Sequence, residues 1–571
     1  MCFKLKIKIK WSKDFRKYFS ISFLQNYILV LFGIMSILLA IKTVPYTWDS
    51  MTYHLARIAY WKQNQSVAHY ATNVVRQVTS PVLAEFINLQ IYISMNGNDL
   101  FMNILQSISY ITNAVVIYQI SFKLGCRKNL CFLAAFLFMT MPIAFGESLT
   151  TQVDQFASMW TLSFVYILLD YLQVEKRFTW NYQTIMDVLY LSVMIAFSYL
   201  AKPSVMFAIF LFAVWVLVIC FIRKDDIVVI AKLIVCSLST ICIFLFPEIF
   251  RNLYTFHAIS DPIAGARQLI GSKHPAYIFV NFFKNFIWNM PNIYWTKSIE
   301  YLTKITNVIA NLVNVDINDV SISEDGREFV MNMAQDYGTD TAINPIVVSL
   351  MILCCLWIIC KTRKIKIEQI AESYSIIVIS AFLIFCSLVK WEPFVTRYML
   401  GYLALLCPMI SIQIQDWGNR LRDRRIYYAV LGIIFFCSVV ETANMVSYHC
   451  EVCKGEKESR EFGYFYWRNY DIYQAYIKME KVIEESGYKN VGIITSEVAY
   501  DYPMFKLLED HVDNIKHINV KNATNKYEDP HYQPECIIVL DSAEQEPIEY
   551  HGVMYDKVLQ IDEYISILSY E

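Results

Sequence analysis

Within the stretch WDSMTYHLARIAYWKQNQSVAHY (48–70), Asp49, Tyr53, His54 and Arg57 fall inside nine residues. A carboxylate can take a proton from a hydroxyl group, and an arginine fork can grip phosphate oxygens in pairs. Asp49, Tyr53 and Arg57 recur at every fourth position, so a helix would put them on one face. Met51, Leu55, Ile58 and the apolar stem of Lys62 mark a second stripe, as in a helix lying along a membrane surface. Taken alone, Asp49 reads first as a helix N-cap, and His54 and His69 read as ordinary surface or core histidines.

Further ionisable groups follow at similar places. NVVRQVTSPVLAEF adds Arg76, Gln77, Pro81 and Glu85, and GESLTTQVDQ adds Glu147 and Asp154. AKPSV holds Lys202, FPEIFRN holds Glu248, Arg251 and Asn252, and KWEPFVTRYML holds Lys390, Glu392, Arg397 and Tyr398. Each has a plain alternative: a snorkelling arginine serves only headgroups, and an acid ahead of a helix serves as its cap. Together they form a set of acids and cations bordering apolar runs, as an anionic lipid headgroup with an acid beside it would require.

Those apolar runs are the elements that must position the set. Of the 571 residues 56% are hydrophobic and only 18% charged, which is the composition of a polytopic helical membrane protein. Eleven segments are candidate spans: 22–44, 99–123, 130–146, 155–172, 185–201, 204–222, 227–247, 343–360, 372–390, 398–415 and 426–446. Basic clusters lie before the first span (Lys4 to Lys17) and in GCRKN, EKR, RKDD, KTRKIK and GNRLRDRR. Alternation from a cytoplasmic amino terminus places all of these inside, as the positive-inside rule requires. Loops 45–98, 146–155 and 248–342, and the chain after 447, then face outward. No cleavage site follows the first span, so it reads as an uncleaved anchor in the cell membrane. The formal net charge of −2 gives no basic field for a nucleic-acid partner.

After residue 447 the pattern changes. DIYQAYIKMEKVIEESGY and YDYPMFKLLED have helical spacing, while NVGIIT, IKHINV and ECIIVLD read as buried strands. The expectation is a transmembrane catalytic domain over 1–447 and a small extracytoplasmic α/β domain over 448–571. No glycine-rich phosphate loop accompanies the strands. Most of the fifteen cysteines sit in apolar runs as small hydrophobes. HCEVC (His449, Cys450, Cys453) is too sparse for a metal site, and NQS at Asn64 and NAT at Asn522 are common three-residue matches.

An acid shortly after the first span, the TSPVLAEF turn, a further acid in the second outer loop, and Trp391 followed by Arg397-Tyr398 together resemble the signature of the GT-C superfamily of integral-membrane glycosyltransferases. YHLARIAYWKQNQSVAHY and YDYPMFKLL are similar to a bacterial branch of it, near the protein O-mannosyltransferases and aminoarabinose transferases. Ser50 follows Asp49 where many relatives have a second acid, and Val82 replaces one of the two prolines usual in the turn. The resemblance implies an eleven-span GT-C-like fold and transfer of a sugar from a polyprenyl-phosphate or polyprenyl-diphosphate donor, usually with inversion. The acceptor would be a glycan, lipid or protein on the outer face. Asp49 matches the general base, with Asp154 orienting the acceptor or serving an optional divalent cation; no other cofactor is implied. The donor phosphate would use Arg76, Lys202, Arg251 and Arg397 as candidates, and Tyr53, His54, Arg57 and Glu85 would line the acceptor or sugar. A polymerase or ligase of lipid-linked glycans is the rival within the membrane, and a transporter is disfavoured because the mid-span regions carry almost no charge.

Overall fold

The computed structural model describes residues 21–173, 177–260, 267–290, 296–331, 339–361, 369–455, 459–468, 470–540 and 546–570. The basic cluster before the first span, most of EKR and KTRKIK, the end of the aromatic stretch 277–295, and the Cys453 side chain lie outside them.

A helix occupies each of the eleven apolar segments. These are α1 (Ile21–Lys42), α4 (Ile104–Lys123), α5 (Lys128–Met139), α6 (Asp154–Gln173), α7 (Tyr182–Ala201), α8 (Met206–Arg223), α9 (Ile227–Phe256), α12 (Pro345–Cys360), α13 (Ile370–Leu388), α14 (Leu400–Arg420) and α15 (Arg424–Gly455). Among the described residues, six helical stretches are long and apolar enough to cross a membrane, and α5 and α12 are apolar but shorter. The three that fall short of that standard, α4, α6 and α14, do so for a physical reason. They carry buried polar side chains, including Gln106 and Asn113 on α4 and Gln155, Ser158 and Thr161 on α6. Polar groups in such a setting must bond one another. Asn113 Nδ2 accordingly donates to Gln155 Oε1 at 2.8 Å, and Thr161 Oγ1 donates to the Ala157 carbonyl at 2.9 Å. Helix α14 runs through the centre of the main core, buried without a break from Leu400 to Ile414.

Two spans depart from the sequence reading. The run 130–146 is broken at Thr140–Met141, after which the short helix Pro142–Glu147 starts on its proline. Helix α9 continues nine residues beyond 247, through Pro247, so Glu248, Arg251 and Asn252 stand on its last turns and not in a loop. The boundary expected at 447/448 likewise falls inside α15.

The first loop differs most from expectation. Asp49 leads into a single π turn, Ser50–His54, followed by α2 (Leu55–Asn64). The turn's wider hydrogen-bond ring inserts a residue and rotates everything beyond it. Arg57 therefore does not share the face of Asp49 that regular spacing predicts. The segment's apolar stripe does not face outward, since Ser50 to Thr52 and His54 to Trp61 are buried. What covers them is the carboxy-terminal unit, since Leu55, Ile58 and Tyr60 join Tyr476, Tyr500 and Phe505 in one core.

That unit is α/β, as expected. Helix α16 (Tyr470–Ser486) precedes β1 (Asn490–Ile494), α17 (Asp501–Leu508), β2 (Asn514–His517) and β3 (Cys536–Leu540). Strands β4 (Ile548–Tyr550) and β5 (Val553–Tyr555) form a hairpin, and β6 (Lys557–Gln560) and β7 (Ile565–Ser569), not foreseen, complete the main sheet. Its order is β2-β1-β3-β7-β6, with β1 parallel to β2 and β3, and β7 antiparallel to β3 and β6. Residues 491–493 of β1 are buried, which suits a central strand covered on both faces. Gly492 is required there, because a Cβ would stand 2.9 Å from Ile518 and 3.0 Å from Pro534.

The long loop 248–342 contributes α10 (Pro275–Ile287) and α11 (Thr296–Leu312). Helix α10 is stapled to the end of α13: Asn281 and Asn285 both donate to the Val389 carbonyl, at 2.8 and 2.7 Å, and to that of Cys386. The remaining amphipathic helix, α3 (Leu83–Ser94), packs beside α2, with Trp61 stacked on Phe86 at 5.2 Å.

Candidate active site

Five separated segments converge where the bundle meets the carboxy-terminal unit. Asp49 is the hub. Its Oδ1 accepts from Arg76 Nη1 at 3.1 Å, and its Oδ2 accepts from Arg397 Nη1 at 2.7 Å and Gln152 Nε2 at 3.4 Å. Asp340 uses two of the same donors, taking Gln152 Nε2 at 3.1 Å and Arg397 Nη1 at 3.4 Å on its Oδ1. Each contributor sits at the end of a helix or on a short turn. Asp49 ends the link after α1, Arg76 starts the short helix Arg76–Thr79, and Gln152 lies in the link before α6. Asp340 stands five residues before α12, and Arg397 lies on the one-turn helix Val395–Tyr398. Such positions let backbone-anchored elements aim charged tips at one point without burying them inside the apolar bundle.

The Asp49 carboxylate makes no capping bond to the turn it precedes, which corrects the N-cap reading. Its oxygens are taken by the two guanidinium groups instead. Burial opposes ionisation, yet Arg397 and then Arg76 override it and hold the carboxyl far below the usual carboxylate range. Asp340 shares only one arginine, so burial prevails and pushes it up to about 6. Aromatic faces frame the cations: Arg76 lies 4.9 Å from the Tyr53 ring centroid, and Arg397 5.1 Å from that of Tyr398.

A second acid–base group borders the first. Lys202 is paired with Asp154 Oδ1 and lies 4.1 Å from the Tyr398 ring. Asp154 Oδ2, both Glu147 carboxyl oxygens and Arg397 Nε are buried without a hydrogen-bond partner among the described residues. Unpartnered polar atoms at this density mark a place prepared for another polar molecule. The carboxy-terminal unit also reaches in: the Glu497 carbonyl accepts from Arg76 Nη2 at 3.4 Å, and Arg468 stacks over Trp48 at 4.4 Å.

Of the residues singled out from the sequence, Asp49, Arg76, Arg397 and Tyr53 come together, with Asp154 and Lys202 beside them. Four do not join them. Arg57 is fully enclosed and donates to the backbone carbonyls of Arg76, Gln77, Ser80 and Pro81. Glu85 pairs with His54 Nδ1 at 2.5 Å and lies 3.8 Å from Arg57. Arg251 pairs with Glu248 on its own helix and donates to the Val67 carbonyl at 2.8 Å. Asp340 and Gln152 were missed. The available signal was an acid just ahead of the 343–360 span in DYGTDTAINP, the placement already noted for Asp154.

Asp49 and Asp154 are paired with arginine or lysine, Glu147 is not, and among the described residues no cluster of three His, Cys, Asp or Glu side chains is placed to hold a metal. His449 of the HCEVC stretch is buried against Gly146, and Cys450 is an unpaired thiol.

No protein-family profile matches the chain. No characterised protein matches it by sequence. Solved structures do. ArnT from Cupriavidus metallidurans bound to undecaprenyl phosphate aligns over 96% of this chain and 97% of its own, with a TM-score of 0.52 and 8% identity. The oligosaccharyltransferase of Archaeoglobus fulgidus tethered to an acceptor peptide aligns over 92% of this chain and 70% of its own, with a TM-score of 0.51 and 11% identity. At such identities the likeness is one of architecture, and that architecture runs almost end to end: the chain shares the fold of these two structures.

Proposed function

We propose that this protein transfers a sugar from a polyprenyl-phosphate carrier to a hydroxyl-bearing acceptor at the outer face of the cell membrane. The observation that carries the reading is Asp49 held between Arg76 and Arg397, in a fold shared with an enzyme solved with undecaprenyl phosphate. Two guanidinium groups converging on one carboxylate make a site whose cations already accept an anion, and a phosphate matches their forks better than a single acid does.

In the reaction the acceptor oxygen attacks the anomeric carbon as the carbon–oxygen bond to phosphate breaks, and its proton passes to the Asp49 carboxylate. The electron pair of the broken bond stays on the lipid phosphate, where Arg76 and Arg397 neutralise the growing charge. Attack opposite the leaving phosphate inverts the anomeric centre. Lys202 and Asp154 stand next to these groups and orient the acceptor. All eleven helices cross the bilayer in this reading, with a cytoplasmic amino terminus and the unit after 448 outside. Arg57, Glu85 and His54 are the frame of the site and do not touch the sugar.

The test offers full-length protein a panel of radiolabelled polyprenyl-phosphate sugars and measures release of lipid phosphate. Wild type should turn over at least one donor, and Asp49→Asn should be slower by roughly 10³-fold, in the range for loss of a general base. Undiminished release by the variant removes Asp49 from the chemistry. No release from any donor in the panel counts against transfer itself.

A further inference from the structure

A carboxylate clamped by two arginines cannot take a proton, yet Asp49 is asked to do so. The neighbouring Asp340 resolves this conflict. Its Oδ1 is within hydrogen-bonding reach of the same Gln152 Nε2 and Arg397 Nη1 that Asp49 Oδ2 uses, so one amide and one guanidinium nitrogen bridge the two acids. Asp340 is 9% exposed and Asp49 7%, and Gln152 is 1% exposed, so bulk water does little to screen the pair. Only the arginines keep two carboxylates at this spacing ionised together.

We propose that Asp340 is a further catalytic residue: when the donor's phosphate draws Arg76 and Arg397 away from Asp49, Asp49 and Asp340 become a pair that holds the acceptor's proton between them. This rests on the sugar-transfer reading. Phosphate and Asp49 compete for the same two forks, so donor binding removes the charge that held both acids ionised. Two neighbouring carboxylates without that charge keep one proton in common, as coupled acids do. At the transfer step the acceptor oxygen forms its bond to the anomeric carbon and the carbon–phosphate oxygen bond breaks towards the lipid. The acceptor's proton enters the pair through whichever acid is ionised, which leaves both acids protonated until one proton passes to solvent. Gln152 keeps the two acids in register throughout by donating to both.

The groups facing Asp340 are Asp49 from the first loop, Asp154 at the start of α6, Lys202 at the end of α7, Arg397, and Glu147. Asp154 and Lys202 are paired with each other, so their charges largely cancel at Asp340. Burial, with Asp154 and Asp340 nearby, pushes the Glu147 carboxyl well above the usual carboxylate range, so near neutrality it adds little charge at the pair.

The experiment is calorimetric titration of the full-length protein in detergent with undecaprenyl phosphate, in buffers of different ionisation enthalpy at pH 7. The heats give the number of protons exchanged on binding. The phosphate contributes its own proton exchange, so the informative quantity is the difference between variants. Wild type should take up about one proton more than Asp340→Asn, and Asp340→Glu should behave as wild type. Asp49→Asn should bind the lipid roughly tenfold more tightly, because the acid that competes for the arginines is gone. A thermal melt alongside each titration establishes that the variants are folded. Equal proton exchange in wild type and folded Asp340→Asn overturns the shared-proton role while leaving lipid binding intact. Absence of undecaprenyl phosphate binding by wild type overturns instead the reading on which the role rests.

Discussion

The first loop builds two arginine–acid clusters from neighbouring stretches of chain, and they are opposites. Around Arg57 the side chain is 0% exposed, and its guanidinium donates to four backbone carbonyls of residues 76–81. Around Asp49, Arg76 is 37% exposed and Arg397 11%, and both spend their bonds mainly on side-chain acids. A carbonyl of the main chain cannot leave without unfolding its turn. A carboxylate can be replaced by any better anion. The first cluster is therefore a fastening and the second an exchangeable site, and the distinction lies in the partner and not in the residue type. The fastening serves the site, since the turn that Arg57 holds is the one that presents Arg76.

Deleting one arginine from each cluster breaks this comparison most directly. Arg57→Ala strips four charge-assisted bonds from a buried turn and leaves Glu85 without its cation. Such losses cost about 3 kcal/mol or more, and a thermal melt should register a large drop. Arg397→Ala should lower the melt less, because Asp340 can take up a proton in place of the lost cation and Asp49 keeps Arg76. It should weaken undecaprenyl phosphate binding by roughly 10²-fold, the value of two charge-assisted bonds. Arg397→Lys should recover only part of the loss, since an ammonium cannot reproduce the fork. A variant pair with these effects exchanged would reverse the assignment.

A smaller effect separates the acids of the two clusters by pH. In the fastening, burial opposes ionisation of Glu85, but Arg57 and His54 keep it below the ordinary range, so it does not titrate near neutrality. In the site, Asp340 is pushed up to about 6 by burial. Below that value the free enzyme already carries the proton that the pair shares; above it Asp340 is ionised and the proton must be gained from solvent before the pair can act. The transfer kcat/KM, which reports the free enzyme, should therefore be level below roughly pH 6 and fall about tenfold per pH unit above it. Asp340→Asn should lose this alkaline limb, whereas Glu85→Gln should retain its shape.

How much of this was legible in the sequence follows from what each signal measures. Hydropathy found a helix at all eleven apolar segments, because burial in lipid and burial in a core impose the same apolar run. The acids and cations bordering those runs were visible too, since charge is unexpected there. Which of them meet was not visible. Periodicity put Asp49 and Arg57 on one face, and one inserted residue in the π turn at Ser50–His54 separated them. Asp340 lay in a loop with no periodic pattern, so only its placement ahead of a span could have marked it. The strands after β3 escaped for different reasons: β4 and β5 have three residues each, β6 is exposed throughout, and β7, though buried, is a five-residue run too short for periodicity to tell strand from helix.

The carboxy-terminal unit offers the finest test of the distinction, because, besides the Glu497 carbonyl that Arg76 touches directly, it meets the site through the turn that carries Arg76. Asp501 is fully buried; its Oδ2 accepts from Gln77 Nε2 at 2.6 Å, and its Oδ1 accepts from the Tyr60 hydroxyl at 3.1 Å. Gln77 follows Arg76 directly and also donates to the Thr52 carbonyl at 3.0 Å, so it ties the unit to the turn behind Asp49. Asp501→Asn keeps the shape but weakens a charge-assisted bond, and the Gln77 amide then faces a partner that is no longer an anion. The expected result is a threefold to tenfold loss in undecaprenyl phosphate affinity, on the order of 1 kcal/mol. The alkaline limb of kcat/KM should stay in place, since Asp340 and its neighbours are untouched. A shift of that limb in Asp501→Asn would place the unit in direct contact with the reacting carboxylates, and the line between fastening and site would have to be redrawn to include it.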